Sequence, residues 1–430
     1  MKLKKAVILA AGKGTRLNPI TSTIPKPLIP IGGKPLLEYS ILSLKEVGIT
    51  EILIIVGYRE NNIKDYFGDG LNNFNVKIDY ISQAEHLGTA HAVGFAKEFV
   101  GEDNFLLMYG DLLTDPKVYK EIVTIYEKNP NEGIISLFEV NHPQEYGIIS
   151  LDSDGYVEKI TEKPSVDLNL GTLANAGIFI FKSTIFKAIE LTELSIRNEY
   201  EFTDSMQILI NQLNGKIKGF VIKDYFWSDI GLPWHLLDAN EFLLNNINHN
   251  INGKIEENVQ ISGKVIIGKN TIIKSGTYII GPCYIGENSL IGPNAFIRPF
   301  TSIGDDCHIG MSEVKNSLIF SNTAIPHFNY IGDSVICENV NLGAGTKVSN
   351  LRFNNTSISM NINGKVIDSG RRKLGAIIGP NSQTGINASI MCGKKIGEGS
   401  IIGAHTIVIE DVPANSLYYQ DKNRTTKKSR

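Results

Sequence analysis

The first residues that could perform chemistry lie near the N-terminus, where an apolar run leads into a glycine-rich loop. The run Ala6–Ala11 is followed by Gly12-Lys13-Gly14-Thr15-Arg16. Glycines let backbone N–H groups approach phosphate oxygens closely, and nearby cations neutralise phosphate charge. Further along, Lys26 stands between two prolines, which places a second cation in a rigid turn. These residues indicate a site for a phosphate-bearing ligand, although the loop matches neither a P-loop nor a dinucleotide fingerprint.

A carboxylate follows another apolar run. The run Phe105–Tyr109 ends in Gly110-Asp111. Ligands of open α/β sheets bind outside the carboxyl ends of the strands, which is where Asp111 would lie. Carboxylate oxygens suit Mg²⁺, a hard cation. Asp111 is therefore a candidate metal ligand.

The segment LAAGKGTRLNPIT…PKPLIPIGGKP, which begins at Leu9, resembles the signature of sugar-1-phosphate nucleotidylyltransferases. The resemblance covers residues 1–231 and implies a Rossmann-like nucleotidyltransferase domain. In that chemistry an oxygen of the sugar 1-phosphate attacks the nucleotide α-phosphate and pyrophosphate leaves, so positioning and charge neutralisation dominate. Further segments that match the family follow in order: QAEHLGTA from Gln83, YGD ending at Asp111, Tyr146-Gly147, Glu162-Lys163-Pro164, Asn175-Ala176-Gly177 and WSDIG, which contains Asp229.

The resemblance implies a role for each matching position. Arg16 is expected to steady the departing pyrophosphate, and Lys26 to bridge the two reacting phosphates. Asp111 and Asp229 are expected to hold Mg²⁺. The expected nucleotide contacts are Leu9, Ala11, Gly12, Gly14, Thr15, Gln83, Gly88 and Thr89, with Gln83 at the base edge. The expected sugar-phosphate contacts are Gly147, Glu162, Lys163 and Asn175. Asp204, which precedes a helical pattern, is instead expected to cap that helix.

Alternating strand and helix patterns surround these residues. Up to about residue 232, short runs rich in Ile, Val and Phe alternate with helical patterns, which predicts a mostly parallel α/β sheet covered by helices. The next segment, Pro233–Asn246, has apolar residues at helical spacing and predicts a helix within a linker spanning 233–250. Strands are expected at 6–11, 52–56, 76–82, 105–109, 134–140 and 174–181.

Beyond the linker the sequence repeats with a period of six residues, which is typical of a parallel β-helix built from hexapeptide turns. We expect such a domain over 251–415, with one aliphatic side chain per turn filling a narrow prism. Glycines that follow the aliphatic positions are expected to permit the corner conformations. A β-sandwich would instead alternate with period two. The repeating positions are Ile267, Ile273, Ile279, Ile285, Ile291, Ile297, Ile303 and Ile309, and, after an interruption, Ile378, Thr384, Ile390, Ile396, Ile402 and Val408.

The interruption carries a second resemblance. Its segments PHFNYIGD, from Pro326, and NVNLGAGT, from Asn339, resemble the acetyltransferase half of bifunctional UDP-N-acetylglucosamine pyrophosphorylase/glucosamine-1-phosphate acetyltransferases. This implies a left-handed β-helix, acetyl-CoA as co-substrate and a homotrimer. Bacterial members continue with Asn-Tyr where this chain has Asn350-Leu351, which leaves the identity of the amino sugar open.

His327 is the candidate general base of the acetyl transfer, because an ammonium group must lose a proton before it can attack a thioester. Other histidines, His91 and His308 among them, are expected to be structural. The resemblance places amino-sugar-phosphate contacts at Arg298, Lys315, Tyr330, Asn341 and Lys373, and backbone contacts to acetyl-CoA at Ala344 and Ala404.

Three functions are compatible with these patterns. The leading one is a bifunctional enzyme, of the type found in archaea, that acetylates glucosamine 1-phosphate and couples a sugar 1-phosphate to UTP or dTTP, giving a nucleotide sugar such as UDP-N-acetylglucosamine. The second is a monofunctional glucose-1-phosphate thymidylyltransferase or uridylyltransferase with a scaffold β-helix. The third is a non-catalytic assembly subunit, against which the joint presence of Arg16, Lys26, Asp111 and Asp229 argues.

Composition restricts the partners and the compartment. The 430 residues carry a formal net charge of -3, so no overall cationic field would hold nucleic acid or an anionic membrane. No apolar stretch approaches the roughly 18–20 residues of a membrane-spanning helix. The four cysteines form no CxxC pair, which favours a reducing compartment, and we expect a cytoplasmic protein. The basic tail, 416–430, is expected to be disordered at its end, and Arg424 is a candidate for a coenzyme A phosphate contact.

Overall fold

The computed structural model describes residues 3–128, 131–140, 143–162, 171–421 and 424–429. The chain forms two compact units. Unit 1 comprises the chain up to Lys13 and Leu36–Asp229, and unit 2 comprises Gly14–Pro35 and the chain from Ile230 onward. We call Gly14–Pro35 the 14–35 segment. Among the described residues, no helix has both the length and the apolar character needed to cross a membrane.

The chain up to residue 229 alternates strands and helices. The strands are β1 (Lys5–Ala10), β2 (Pro30–Ile31), β3 (Lys34–Pro35), β4 (Glu51–Val56), β5 (Lys77–Ser82), β6 (Phe105–Tyr109), β7 (Leu113–Thr114), β8 (Gly133–Glu139), β9 (Gly147–Leu151), β10 (Val157–Glu162), β11 (Leu173–Phe181), β12 (Ile217–Val221) and β13 (Trp227–Ser228). The helices are α1 (Leu36–Glu46), α2 (Glu60–Phe67), α3 (Leu71–Phe74), α4 (Thr89–Gly94), α5 (Lys97–Val100), α6 (Pro116–Lys128), α7 (Ile185–Glu190) and α8 (Phe202–Asn211). All six predicted strands are confirmed.

Unit 1 contains a mixed sheet. Its strand order is β10-β9-β11-β6-β1-β4-β5, and β8 pairs with β11 and β12. The strands β6, β1, β4 and β5 run parallel. The expectation of a mostly parallel sheet is wrong for the other half, because β11 runs antiparallel to β6, β8 and β9. There, β9 and β10 are joined by a short turn at Asp152–Gly155, which suits antiparallel neighbours, whereas parallel neighbours need a long crossover.

Unit 2 is built around a parallel β-helix, as the period of six predicts. Val265–Ile267 pairs in parallel with Cys283–Ile285, and that strand pairs with Thr301–Ile303, so these coils are 18 residues long. All eight isoleucines of the first run are fully buried, and Ile378, Ile396, Ile402 and Val408 are buried equally. These side chains form a single apolar core along the prism.

The helix α9 (His235–Asn245) precedes the β-helix in the chain. The strands of the β-helix are mostly two or three residues long. They are β14 (Asn250–Ile251), β15 (Lys254–Ile255), β16 (Gln260–Ser262), β17 (Val265–Ile267), β18 (Ile272–Ile273), β19 (Tyr278–Ile280), β20 (Cys283–Ile285), β21 (Leu290–Ile291), β22 (Phe296–Ile297), β23 (Thr301–Ile303), β24 (His308–Lys315), β25 (Leu318–Ile319), β26 (Ala324–Gly332), β27 (Val335–Ile336), β28 (Asn341–Leu342), β29 (Lys347–Val348), β30 (Ser359–Ile362), β31 (Lys365–Asp368), β32 (Ile377–Ile378), β33 (Gln383–Thr384), β34 (Ser389–Ile390), β35 (Lys395–Ile396), β36 (Ile401–Ile402), β37 (Ile407–Val408), β38 (Ser416–Asp421) and β39 (Arg424–Ser429).

The interruption in the repeat is not an interruption of the prism. Its core continues through Val314, Ile319, Ile325, Ile331, Ile336, Leu342 and Val348. The period of six is lost because some coils are shorter: Val314 lies beside Ile331, and Ile319 beside Ile336, each 17 residues on. One excursion then leaves the prism between Val348 and Ile377 and contains the antiparallel hairpin β30–β31.

Most of the glycines that follow the isoleucines do not serve the corners as predicted, and Gly292, with φ of 97°, is an exception. Most left-handed corner residues with a side chain are asparagines, which tolerate this conformation better than other residues. The glycines instead allow neighbouring coils to approach: a Cβ on Gly268 would lie 2.5 Å from a backbone carbon of Gly286, and one on Gly397 would lie 2.3 Å from the Ala414 backbone nitrogen. The left-handed asparagines include Asn258, Asn270, Asn288, Asn322, Asn339 and Asn381.

The tail also differs from expectation. Arg424–Ser429 forms a strand antiparallel to Ser416–Asp421, which itself extends a face of the β-helix through β36. The prediction of a disordered end is therefore wrong for this stretch, because the preceding strand offers an edge for pairing. The side chain of Arg424 lies outside the described residues.

Candidate active sites

Three strand ends meet closely at the carboxyl edge of the unit 1 sheet. The Gly110 N–H donates to the Leu9 carbonyl at 2.8 Å, and the Tyr58 N–H donates to the Ala11 carbonyl at 3.1 Å. A Cβ on Gly57 would lie 2.8 Å from the Ala11 oxygen, and one on Gly110 would lie 2.9 Å from the Leu9 oxygen. Glycine is thus required on both sides of Leu9–Ala11. Gly12, which follows, is exposed with open space around its Cα, as the approach of a ligand to the backbone requires.

The predicted base-reading segment is attached to the N-terminus of α8. Leu87 accepts a hydrogen bond from the Tyr200 N–H, and the Phe202 N–H donates to Thr89 Oγ1 at 2.9 Å. Gly88 has φ of 114°, and a Cβ there would lie 2.4 Å from the Tyr200 carbonyl oxygen. A side chain at position 88 would collide with the Tyr200 backbone, so glycine is required there.

Gln83 is buried and its amide is held from two sides. Its Nε2 lies 3.5 Å from the Gly88 carbonyl oxygen, to which it donates, and 3.3 Å from His91 Nδ1. His91 also packs edge-on against Phe95. His91, which is expected to be structural, thus contacts the residue predicted to read the base.

The two predicted metal ligands both follow strand ends. Asp111 comes two residues after β6, and Asp229 follows β13 directly. Strand β13 pairs antiparallel with β7, with Ser228 opposite Leu113. This pairing brings the backbone just before Asp229 beside the backbone just after Asp111.

The predicted sugar contacts in unit 1 are also adjacent. Glu162 lies opposite Gly147 in the β9–β10 ladder, and a Cβ on Gly147 would lie 2.7 Å from Glu162 Oε2. Asn175 Oδ1 accepts the Gly177 N–H at 2.8 Å. Lys163 lies outside the described residues. A side chain at position 147 would displace the Glu162 carboxylate.

Tyr109 interacts with residues of both the predicted metal site and the predicted sugar site. Burial raises the pKa of Tyr109 well above its ordinary value, and the charges of Glu162 and Asp111 raise it further, whereas a hydrogen bond with Asn175 lowers it. The tyrosine is therefore neutral at physiological pH and lies within electrostatic range of both carboxylates. These surroundings could not be predicted from the sequence, in which Tyr109 is the last residue of an apolar strand.

A charged cluster lies behind Glu162. Arg197 Nη2 lies 3.4 Å from Glu162 and 2.7 Å from Glu201. Burial raises the pKa of Asp204, and the charge of Glu162 raises it further, whereas Arg197 lowers it. The expectation that Asp204 caps a helix is wrong: it lies inside the first turn of α8, whose N-cap is Glu201, without a side-chain capping bond. Arg197 was missed, because it lies in a loop without a motif.

Replacing Asp204 by Asn should stabilise the protein at neutral pH. The raised pKa means that the folded state binds this proton more tightly than the unfolded state, so stability falls as the pH rises from about 4 through the raised pKa. Asn removes this cost, so the unfolding midpoint of Asp204→Asn should exceed that of the parent at pH 7. The difference should vanish below about pH 4, where the carboxyl is neutral in both states.

Thermal unfolding at pH 3.5–8 measures this effect. The matched control is Asp154→Asn, which removes an exposed carboxylate of the same unit. An equal gain for both variants, or a gain for Asp204→Asn that does not depend on pH, would contradict burial as the cause.

The remaining nucleotide candidates belong to unit 2. Gly14 has the left-handed φ of 63° and precedes a short 3₁₀ helix, Thr15–Leu17, which carries Arg16. Thr21 Oγ1 donates to the Gly14 carbonyl at 2.9 Å, and a Cβ on Gly14 would lie 3.3 Å from Lys26 Cβ. Arg16 is exposed, whereas Lys26 is 8% exposed. The 14–35 segment therefore brings Gly14, Thr15, Arg16 and Lys26 together.

The predicted acetyl-transfer residues stack on successive coils of the β-helix. In the parallel ladder, Phe296 lies beside Glu313 and Glu313 lies beside Tyr330. Arg298 Nη1 lies 2.8 Å from Glu313 Oε1. Tyr330 is half-buried, and burial raises the pKa of its hydroxyl. The hydroxyl is therefore a neutral hydrogen-bond donor at physiological pH.

Asp333 organises this cluster. It is 2% exposed and pairs with Lys315 Nζ at 3.1 Å. The amide groups of Asn316 and Asn350 also donate to its carboxylate, and Asn350 Nδ2 lies 3.1 Å from the Tyr330 hydroxyl. A buried carboxylate needs such partners. Asp333 was not among the predicted residues, since it reads as one of many corner residues.

The other predicted residues surround this cluster. The backbone of Lys373 forms an isolated antiparallel β-bridge with that of Leu351, the residue after Asn350. Asn341 is exposed and pairs with Ala324, three residues before His327. His327 is exposed, and its carbonyl accepts the Gly345 N–H at 2.9 Å.

A column of equivalent positions runs along one corner of the prism. The Gly345 N–H donates to the His327 carbonyl, the Asn387 N–H to that of Ala344, and the His405 N–H to that of Ile386. The residue after each position has a left-handed backbone: Phe328, Gly345, Asn387 and His405. His327, Ala344, Ile386 and Ala404 therefore occupy the same corner on four successive coils. The structure thus places both predicted acetyl-CoA contacts in line with the candidate base.

Comparison with known proteins gives full-length relatives. The chain is 43% identical over 425 residues to "Bifunctional protein GlmU" of Methanococcus maripaludis, covering 98% of this chain and 99% of that protein. It is also 43% identical over 411 residues to "Bifunctional sugar-1-phosphate nucleotidylyltransferase/acetyltransferase" of Sulfurisphaera tokodaii, covering 95% and 98%. The chain belongs to this bifunctional family. Membership disfavours the monofunctional alternative and the non-catalytic subunit, because the relatives match along both units.

Family models and solved structures agree with this assignment. The nucleotidyl transferase model matches residues 5–246, and the GMPPB C-terminal domain model matches residues 279–370. A crystal structure of UDP-glucose pyrophosphorylase complexed with UDP-glucose aligns with a TM-score of 0.52 and 26% identity, covering 57% of this chain and 100% of that one. A putative glucose-1-phosphate thymidylyltransferase from Bacillus anthracis aligns with a TM-score of 0.51 and 28% identity, covering 58% and 97%. The first half of this chain therefore has the Rossmann-like nucleotidyltransferase fold.

Proposed function

We propose that this member of the family acetylates glucosamine 1-phosphate with acetyl-CoA and transfers a nucleotidyl group from UTP or dTTP to the acetylated sugar 1-phosphate. The observation that carries this proposal is that predicted residues for both reactions occur in a chain that matches relatives named for both activities over 95–98% of its length. UDP-N-acetylglucosamine is the expected product.

Mg²⁺ fits the carboxylates of unit 1. Asp111 and Asp229 supply the oxygen ligands that this ion prefers, and Mg²⁺ commonly binds one or two carboxylates while water and substrate phosphates complete its shell. Within the described ranges, no cluster of three or more His, Cys, Asp or Glu side chains forms a fuller cage. When bound, the ion would neutralise charge on the reacting phosphates.

Protein groups would do the rest of the nucleotidyl transfer. Gln83 would pair with the base edge, and its amide is already held by Gly88 and His91. Arg16 would steady the leaving pyrophosphate, and Lys26 would bridge the two reacting phosphates. Glu162, held by Arg197, would accept hydrogen bonds from sugar hydroxyls. No protein nucleophile is required, since the sugar phosphate attacks directly.

In the acetyl transfer, His327 would take a proton from the ammonium group of the amino sugar. The amine nitrogen then attacks the thioester carbon, the C–S bond breaks, and the coenzyme A thiolate leaves and is protonated. Arg298, Lys315 and Lys373 would neutralise the sugar phosphate, with Lys315 fixed by Asp333. Tyr330 and Asn341 would orient the sugar, and the backbone at Ala344 and Ala404 would contact acetyl-CoA.

A homotrimer through the β-helix is part of this proposal. The prism surface carries exposed apolar side chains, including Tyr278, Met311, Phe328 and Ile407. Tyr278 stacks on Phe296 with ring centroids 5.6 Å apart. Such groups suit contact with neighbouring prisms and with the pantetheine arm between them. All four cysteines are free, which suits a reducing compartment, and the protein would act in the cytoplasm.

A matrix of substrates tests the proposal. Purified protein is mixed with glucose, galactosamine, glucosamine or N-acetylglucosamine 1-phosphate and each nucleoside triphosphate, with and without acetyl-CoA, and both free thiol and pyrophosphate are measured. We expect thiol release with glucosamine 1-phosphate, and pyrophosphate release with UTP or dTTP in the presence of Mg²⁺. Pyrophosphate without thiol release from either amino sugar would leave only the monofunctional alternative.

A further inference from the structure

The β30–β31 hairpin leaves the prism between Val348 and Ile377 and packs against it. Its first strand buries Met360 and Ile362, which are 1% and 3% exposed, and Ile358 just before it is also buried. The opposite strand is mostly exposed, with Val366 76% exposed. The backbone passes within reach of Gly393, on which a Cβ would lie 2.5 Å from the Ser359 carbonyl oxygen. The hairpin therefore has a defined place on the β-helix.

The turn of this hairpin reaches the 14–35 segment. Asn363 and Gly364 have φ of 49° and 84°, the left-handed pair of a tight two-residue turn. The turn is closed by the Gly364 N–H, which donates to Asn361 Oδ1 at 2.9 Å. Asn363 Nδ2 points out of the turn and donates to Thr15 Oγ1 at 3.4 Å. Thr15 immediately precedes Arg16.

Two further contacts attach the same segment to the β-helix. Thr23 Oγ1 donates to the Glu338 carboxylate at 2.5 Å. Pro19 packs closely against Gly379, because a Cβ added to Gly379 would lie 2.9 Å from the Cβ of Pro19. The segment is thus attached at Pro19 and Thr23, whereas its first residue, Gly14, follows the exposed residues Gly12 and Lys13. Asn363 contacts this end of the segment from the β-helix side.

We propose that the β30–β31 hairpin positions the Arg16 end of the 14–35 segment for pyrophosphate, and that Asn363 is a positioning residue for nucleotidyl transfer. The proposal rests on the proposed function for its activity readout. Holding Thr15 limits the places where the guanidinium of Arg16 can be found, which lowers the entropy lost when pyrophosphate binds.

The reverse reaction isolates this effect. With nucleotide sugar and pyrophosphate as substrates, Asn363→Gly keeps a residue that accepts the left-handed turn but removes the amide. One exposed hydrogen bond corresponds to about a 2- to 10-fold change, and we expect the KM for pyrophosphate to rise by that factor. The KM for the nucleotide sugar and the rate of acetyl transfer should not change. Asn363→Asp, which adds a negative charge beside Thr15, should raise the KM for pyrophosphate further.

The control is Val366→Thr, which alters the exposed strand of the same hairpin and should change neither constant. A KM for pyrophosphate that is unchanged in both Asn363 variants would overturn the proposal, as would equal rises in the KM values of both substrates.

Hydrogen exchange of the full-length protein tests positioning without activity. The peptide containing Thr15–Asn18 should exchange faster in Asn363→Gly than in the parent or in Val366→Thr. Unchanged exchange rules out the positioning role even if the chain proves to have no nucleotidyl transfer. Conversely, faster exchange in a protein without pyrophosphate exchange refutes the proposed function and leaves the anchoring by the hairpin intact.

Discussion

Replacement of His327 by Ala should reduce thiol release from acetyl-CoA by roughly 10²–10⁴-fold, the range for loss of a general base, while pyrophosphate release continues. Without the imidazole, the amino group of the sugar remains protonated at neutral pH and has no lone pair for the thioester carbon. The position suits the role, since His327 is exposed at the corner that it shares with Ala344 and Ala404. Free thiol and pyrophosphate are measured on the same preparation.

A neighbouring histidine provides the control. His308 lies one coil before His327 and is exposed; burial lowers its pKa, and the charge of His327 lowers it further. His308→Gln removes an imidazole from the same surface without touching the candidate base. Equal loss of thiol release in both variants would show that any histidine here matters only for structure. Loss of both activities in His327→Ala would refute two independent sites.

Asp111→Asn should have the opposite selectivity. It removes the charge that holds a divalent cation but preserves shape, so we expect Mg²⁺-dependent pyrophosphate release to fall by roughly 10²–10³-fold, as loss of several kcal/mol of charge stabilisation implies. Acetyl transfer should persist, because His327 and its neighbours lie in unit 2. Initial rates are measured against Mg²⁺ concentration for the parent and the variant.

Asp154→Asn again serves as the control, since it removes an exposed carboxylate from unit 1. The variant Asp111→Asn should need more Mg²⁺ than the parent for half-maximal rate, which separates loss of the metal from loss of folding. If Asp111→Asn retains the parent rate and the parent Mg²⁺ dependence, Asp111 is not a metal ligand.

The sequence predicted the β-helix well because its repeat is local. Each buried isoleucine belongs to one hexapeptide turn, so an aliphatic residue at every sixth position predicts which side chains enter the core. The strand pattern of unit 1 was equally readable, since β1, β4 and β6 are continuous apolar runs covered on both faces. Strand direction was harder to predict, because an apolar run looks the same whether the strand pairs parallel or antiparallel with its neighbour.

Features that depend on distant contacts were not predictable from local patterns. Arg197 is recognisable only once Glu162 and Glu201 lie beside it. Asp333 looks like any corner residue until Lys315, Asn316 and Asn350 converge on its carboxylate. Asp204 has the spacing of a cap, yet the start of α8 is set by Glu201 and by the bond between Thr89 and Phe202. In each case the partner lies far away or in a loop, and no periodicity marks it.

The corner shared by His327, Ala344, Ile386 and Ala404 fixes the distances between these residues along the β-helix. Parallel strands stack about 4.8 Å apart, so three coil steps separate His327 from Ala404 by about 14 Å. That spacing can change only in whole steps, because a coil cannot be partly inserted without breaking the core. The number of coils between His327 and Ala404 would therefore set the length of extended thioester substrate that fits between them. Coils added or removed before His327 would change the length of the β-helix but not the distance between these two residues.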